Sequence, residues 1–418
     1  MRKDQGRVTF SVVGLGGRAS AYLNALQELY PEEYVVVAAA EPDAEKRSRL
    51  HLEYGVGEDR LYTSDLELMA QPRLSDVAII GTQDALHFRE VVALLEKGYD
   101  LILEKPVATT LEQLRELVRL AQCYPNQIVA VCHVLRHTKF FGEIKKILSS
   151  GLFGPVVSIQ HNENIGYYHY ANSYAWRNDQ TSGPLSLTKS CHDMDILLYL
   201  LGDQHADRVA ALGSLSVFHR ENFDPETMSS YCVDCPQQKT CAYSAVRIFQ
   251  SGKIKSIAFD LSSVEKIRKN LGESPYGRCV YCCDNNVVDH LSSILSFDGG
   301  VTATFNLSAF TAKVTRSLKI MCQFGEIRAA EKPYLIETTD FRTDETVCRE
   351  LDIRERGHGG GDKGFIRDFM ESYLHGTPFS SLLKDSVESH VMALLAEQSR
   401  LENGTSKSVK EVMEWINQ

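Results

Sequence analysis

The chain has 418 residues, 43% hydrophobic and 24% charged, with 55 acidic against 45 basic side chains and a formal charge of −10. That length exceeds what one hydrophobic core usually organises and predicts two domains, while the negative balance disfavours nucleic acid or an anionic membrane surface as partner. No run is long and apolar enough to span a bilayer, and Met1-Arg2-Lys3-Asp4 leads straight into a strand-like segment without a signal-peptide core, so a cytoplasmic protein acting on small molecules is expected.

Val8 to Val13 reads as a strand, followed by Gly14-Leu15-Gly16-Gly17-Arg18-Ala19 and the helical pattern of Tyr22, Leu23, Leu26 and Leu29. Strand, Gly-x-Gly-x-x-Ala, helix is the order a dinucleotide site needs: Gly14 for the tight turn, Gly16 for approach of a pyrophosphate, Ala19 for close helix–strand packing. The next strand, Tyr34 to Ala40, ends in Glu41-Pro42-Asp43. A carboxylate there accepts ribose hydroxyls and repels a 2′-phosphate, so NAD is predicted over NADP. Lys46 and Arg47 fit an exposed first helical turn.

Asp76 to Gly81 is a third strand ending at Thr82, and Ala85 to Lys97 is an amphipathic helix. The apolar run Leu101-Ile102-Leu103 then stops at Glu104-Lys105-Pro106. Pro106 has no N–H to give a central ladder, so Lys105 falls at a strand's carboxyl end. In an open α/β sheet that end faces the ligand crevice, where a Lys either transfers protons or is an ordinary surface corner. A helix from Thr110 to Gln122 and a strand from Ile128 to Val134 complete a doubly wound parallel sheet, a dinucleotide domain over 1–136.

The pattern then changes. Strands at 155–159 and 208–218, a helix at 191–201, a hairpin over 288–310 around Asp298-Gly299-Gly300, strands at 316–324 and 326–330, and helices from Phe365 onward predict an α+β domain over 137–418. Its sheet is mainly antiparallel and open, and a free face predicts a homo-oligomer, dimer or tetramer. The segment from about 219 to 285 lacks β alternation and reads as an insertion. Cys232, Cys235 and Cys241, with Cys279 or Cys283 as a fourth, are enough thiolates for a structural zinc site. Unligated buried thiols are the competing reading, and disulfides are disfavoured in a reducing compartment.

Chemistry concentrates in Ser182 to Asp195. A helix beginning near Lys189 puts Thr188, His192, Asp195 and Tyr199 on one face, with Lys189 beside His192. A His among hydroxyls, an amine and a carboxylate exchanges protons near neutrality, although a structural His is the commoner case. In Gly357-His358-Gly359-Gly360-Gly361-Asp362 the glycines permit close approach of a ligand between His358 and Asp362; the same loop also serves as a flexible link capped by Asp362. Glu163, Tyr168, His169, Tyr174, Trp176 and Arg177 suit a sugar's apolar faces and hydroxyl rim, or simply a packed domain-edge loop. Arg136 and Asp195 join them as candidate substrate contacts.

The succession of glycine loop, Glu104-Lys105-Pro106, and Gly183 followed after eight residues by His192-x-x-Asp195 resembles the glucose–fructose oxidoreductase, inositol dehydrogenase and MocA family of sugar and polyol dehydrogenases. The Cys-rich insertion and the Gly-His-Gly-Gly-Gly-Asp loop resemble one branch of it. The resemblance implies a nicotinamide cofactor held by Gly14, Gly16, Gly17, Arg18, Ala19, Glu41, Thr82, His87, Glu104 and Lys105. It also implies a carbohydrate or polyol substrate between the domains, with Lys105 and His192 flanking the reacting carbinol. Many members carry Asp four residues before that His; here Thr188 stands there, beside Lys189, so the Asp–His–Lys proton relay is altered. The expected activity is NAD-dependent oxidation of a secondary hydroxyl of a sugar, glycoside or cyclic polyol. His192 is the expected base, since its ordinary pKa lies near neutrality while that of Lys105 does not. Two rival readings are a glycosidase or lyase that oxidises the ring transiently and eliminates the aglycone, and a non-catalytic dinucleotide-binding regulator.

Overall fold

The computed structural model describes residues 6–171, 178–254, 261–355 and 358–418. Six parallel strands, β1 (Val8–Val13), β2 (Tyr34–Ala40), β3 (Leu61–Tyr62), β4 (Val77–Ile80), β5 (Asp100–Leu103) and β6 (Val129–Val131), form one sheet in the order β3-β2-β1-β4-β5-β6. Their apolar runs are buried on both faces, as β1 and β4 are throughout. Strand order reverses between β1 and β4, and the crevice at that switch point is where the glycine loop and Lys105 emerge. The two-residue β3 and the helix Asp65–Ala70 were not foreseen, being too short for a periodic signal.

The second sheet has nine strands: β7 (Val156–Asn164), β8 (Ala206–Ser214), β9 (His290–Phe297), β10 (Thr302–Ser308), β11 (Thr315–Cys322), β12 (Gly325–Ala330), β13 (Leu335–Asp340), β14 (Glu345–Glu350) and β15 (Lys407–Ser408). They run in the order β14-β13-β12-β11-β7-β10-β9-β8-β15, and only the β7–β10 pairing is parallel among the described strands. Helices Cys191–Leu201 and Leu383–Leu401 pack on one face. The other face keeps Val157, Leu212 and Ile294 exposed. The β13–β14 hairpin escaped the sequence because every residue of β14 is exposed, which leaves no apolar alternation to read.

One element crosses the division between the sheets. Helix Gly361–His375 places Phe365, Ile366, Phe369, Met370 and Tyr373 in the same core as Phe10, Tyr22, Leu26 and Ile79. It sits so close to the turn Val134–His137 that a Cβ on Gly361 would lie 2.4 Å from the Val134 carbonyl oxygen, and one on Gly364 2.3 Å from that of His137. Of the three successive glycines expected to let a ligand approach, Gly361 has the chain's own backbone against it, while Gly359 and Gly360 face the side chains of Tyr334 and Glu355.

Candidate active site

The glycine loop has the form a pyrophosphate needs. Gly14 has φ +81°, and a Cβ there would meet Thr82 Cγ2 at 2.9 Å; one on Gly16 would come to 3.3 Å from the Gly81 oxygen. Helix Gly17–Leu29 starts with no side-chain cap, so the first-turn N–H groups stay available for an anion. Ala19 packs against Gly81, whose own Cβ would fall 2.9 Å from it. Glu41, at the end of β2, accepts from Leu15 N at 2.6 Å and from Asp43 N at 3.0 Å, which ties the acid expected to meet the ribose to the loop. Thr82 donates to Glu90 Oε2 at 2.5 Å. These residues fit a dinucleotide.

Arg18 turns away from the loop. Its Nε donates to Glu104 Oε1 at 3.0 Å, Nη1 and Nη2 donate to Asp362 at 2.9 and 2.7 Å, and Nη2 donates to Tyr22 Oη at 2.6 Å. Tyr22 in turn donates to Glu104. His358 Nδ1 lies 3.2 Å from Arg18 Nη1 and 3.1 Å from Asp362 Oδ1. Burial opposes ionisation of Asp362, but hydrogen bonds from His358 and Arg18 hold it well below the usual carboxylate range.

Lys105 projects from the end of β5 and donates from Nζ to the carbonyl oxygen of Thr188 at 2.5 Å. That carbonyl is open to Lys105 because the expected helix is broken: one turn, Leu185–Thr188, ends before Lys189 and Ser190, and the chain resumes helix at Cys191. His192 follows, 4% exposed, with its ring 5.6 Å from that of His133 and 5.8 Å from that of His358. Neither His192 Nδ1 nor Thr188 Oγ1 has a partner among the described residues. Burial, with Lys105, His133, His358 and Arg316 around it, presses the His192 pKa well below its ordinary value. The reason for expecting His192 as the base, a pKa near neutrality, does not hold in the fold.

A buried ionic cluster lies behind this point. Arg316 on β11 is directly opposite Glu163 on β7. It donates to Glu163 Oε1 at 3.0 Å and to both oxygens of Asp193 at 2.7 and 3.1 Å, and His161 donates to Asp193 at 2.6 Å. Burial opposes the Asp193 charge, but Arg316 and His161 hold it ionised. Burial and neighbouring Asp193 push Glu163 up to about 8. Lys189 is drawn down to about 8 by burial, with Glu163 opposing and Lys105 and Arg316 adding to the fall. Its Nζ stands 3.1 Å from His169 Nε2.

Several expected contacts lie elsewhere. His87 has no exposed surface and donates from Nδ1 to the Pro106 carbonyl at 2.7 Å, so it supports the Lys105 corner from inside and cannot touch a cofactor. Glu104 is 5% exposed and is held by Arg18, Tyr22 and the Lys105 N–H. Arg136 and Asp195, expected on the substrate, are held by each other in a two-pronged pair at 2.6 and 2.6 Å, with Asp195 fully buried. Tyr168 stands edge-on to Tyr167, with Lys253 Nζ 5.5 Å from its ring centre, at the border of the Cys-rich insertion. Tyr174 and Arg177 lie outside the described residues. The zinc expectation is not met: among the described residues no group of three or more His, Cys, Asp or Glu is arranged to hold a metal. Cys232, Cys235 and Cys241 border a small cavity with Cys279, while Cys283 turns its thiol to the Cys279 carbonyl at 2.8 Å.

Sequence reasoning missed Arg316, Asp193, His161 and His133. A signal existed in β7, where Ile159, His161 and Glu163 occupy alternate inward positions, so polar side chains take places the period reserves for apolar ones. It also missed Asp84, whose Oδ2 is buried without a partner among the described residues and whose carboxyl burial raises to about 7.

Residues 8–133 match a family model described as "Oxidoreductase family, NAD-binding Rossmann fold", and residues 145–406 one described as "Oxidoreductase family, C-terminal alpha/beta domain". Over 377 residues the chain is 24% identical to YteT of Bacillus subtilis, a protein named as an oxidoreductase, covering 85% of this chain and 87% of that one. Levoglucosan dehydrogenase, solved with NADH and levoglucosan, superposes with a TM-score of 0.71 at 17% identity over 97% of this chain and 100% of that one. An inositol dehydrogenase homologue of Azotobacter vinelandii, solved with NADH and myo-inositol, gives 0.67 at 15% identity over 96% and 97%. These two likenesses are of fold. Among the described residues no helix is long and apolar enough to cross a membrane.

Proposed function

Because the chain belongs to the Gfo/Idh/MocA oxidoreductase family, we propose that it is an NAD-dependent dehydrogenase of a secondary hydroxyl on an uncharged sugar, glycoside or cyclic polyol. The observation that carries this reading is the meeting of Lys105, at the carboxyl end of β5, with the carbonyl of Thr188, four residues before His192 in the second domain. NAD, bound by the glycine loop and Glu41, would supply the hydride acceptor. Thr188 occupies one of the three N–H groups of the Lys105 ammonium, and the others remain to polarise a carbinol oxygen as charge develops on it. His192, kept neutral by burial, can hydrogen-bond the same oxygen.

Charge balance favours an uncharged substrate. Arg18 is bound to Glu104 and Asp362, Arg316 to Glu163 and Asp193, and Arg136 to Asp195, so these guanidinium groups already have carboxyl partners before a substrate arrives. Levoglucosan and myo-inositol, the ligands named with two similar structures, belong to this class.

The test is to incubate the protein with NAD and a panel of alkyl and aryl pyranosides and cyclic polyols, following NADH absorbance and aglycone release together. NADH growing in step with an oxidised product, with glycosides intact, is the expected outcome. Aglycone released over many turnovers without NADH accumulation would replace this reading with oxidation and elimination, for which His358, bonded to Asp362, stands 5.8 Å from His192. NAD binding without turnover of any compound would leave a regulator.

A further inference from the structure

With Thr188 where a carboxylate is expected and His192 buried near Lys105 and Arg316, the proton of a reacting hydroxyl needs another destination. We propose that Lys189, whose amine lies beside His169, takes that proton, and that His169 passes it to solvent. This rests on the dehydrogenase reading above.

Lys189 sits in the break between the helices Leu185–Thr188 and Cys191–Leu201, one residue after the carbonyl that holds Lys105. Amines from the two domains therefore share one corner: Lys105 donates to the Thr188 carbonyl, and Lys189, the next residue, turns its amine toward His169. Among the described residues, the groups near Lys189 include Glu163 on β7, Lys105 beyond β5, Arg316 on β11, Asp193 on the following helix and His169, whose Nε2 is 3.1 Å away. Glu163 gives one oxygen to Arg316 and keeps the other buried with no partner among the described residues. A buried amine near two cations, Lys105 and Arg316, holds its proton more loosely than an exposed lysine. The fall in the Lys189 pKa enlarges its free-amine fraction near neutrality, which a general base needs. A protonated His192 would instead face Lys105, His133, His358 and Arg316.

The step balances. The carbinol O–H breaks as an N–H forms on Lys189 Nζ, the two electrons of the carbinol C–H leave as hydride to the nicotinamide, and the carbon–oxygen double bond forms. The remaining proton leaves Lys189 by way of His169 Nε2.

Two readouts test this on the full chain. In the first, trace acetic anhydride is applied across pH and acetylation of each lysine is quantified by peptide mass spectrometry, which needs neither cofactor nor turnover. Lys189 should reach half-maximal reactivity near pH 8 and move lower in E163Q, while exposed Lys410 keeps an ordinary profile. Lys189 titrating together with Lys410 would overturn the proposal. In the second, the kcat profile should rise through the Lys189 midpoint, shift to lower pH in E163Q, and persist at reduced height in H192N. K189R keeps a positive charge but cannot release a proton near neutrality, and should lose on the order of 100-fold or more in kcat. An active protein whose rising limb ignores E163Q and vanishes in H192N would give the proton to His192 and overturn the proposal alone. A protein with the expected labelling that forms no NADH from any substrate would overturn the dehydrogenase reading, and this role with it.

Discussion

Thr188 acts through its backbone: the break after it exposes a carbonyl to Lys105, and its side chain leaves His192 without a carboxylate neighbour. Because His192 touches the reacting oxygen in this reading and lies apart from the glycine loop, H192A should lower kcat by about 10²–10⁴-fold. NAD affinity, followed by quenching of protein fluorescence, should stay within about twofold; equal losses in both would mean a structural His. Asp362 makes a second prediction. Its folded pKa lies below the unfolded value, so its contribution to stability is complete above about pH 4 and is lost as pH falls through the depressed value. Urea midpoints measured from pH 6 to pH 3 should therefore fall less steeply in D362N than in the wild type. Equal slopes would show that Asp362 adds nothing through its charge.

At the scale of elements, most strands were legible because alternation and apolar runs are local. The run Val8 to Val13 and the stop at Pro106 each carry their own reading. What was not legible depends on distant pairing. Arg316 meets Glu163 only because β11 lies beside β7, and His87 looks like a crevice residue until the Pro106 carbonyl is found against it. The Gly-His-Gly-Gly-Gly-Asp loop shows both sides of this limit. Its glycines were read as space for a ligand, yet Gly361 has the Val134 carbonyl against it, and Gly364, three residues further on, that of His137. Replacing Gly364 by Ala should force helix Gly361–His375 outward, at a cost of about 1–3 kcal/mol in chemical denaturation. It should also loosen Asp362 from Arg18, seen as a weaker NAD affinity; an unchanged stability would mean that the helix shifts freely.

For the whole molecule, the uncovered face of the nine-stranded sheet bears on assembly. Val157, Leu212 and Ile294 emerge there among polar neighbours, on strands whose opposite face is covered by helices. A second copy laid on this face would bury them, so light scattering should return a multiple of the 46.9 kDa chain mass. A charge such as I294K should shift the particle to smaller mass. A monomer in the unmodified protein would remove this face from consideration.

The return of helix Gly361–His375 to the first core has a consequence for biosynthesis. The six-stranded sheet leaves the ribosome early, but the surface of Phe10, Tyr22 and Leu26 is closed by side chains made far later. At ordinary translation rates of about 5–20 residues per second, roughly 240 residues of intervening chain mean a wait on the order of 10–50 s. During that interval the nascent first domain exposes an apolar patch and needs a chaperone or a fast-forming substitute. A nonsense mutation anywhere between 137 and 360 would make the wait permanent, so truncated products should be cleared or aggregate despite containing every strand of the sheet.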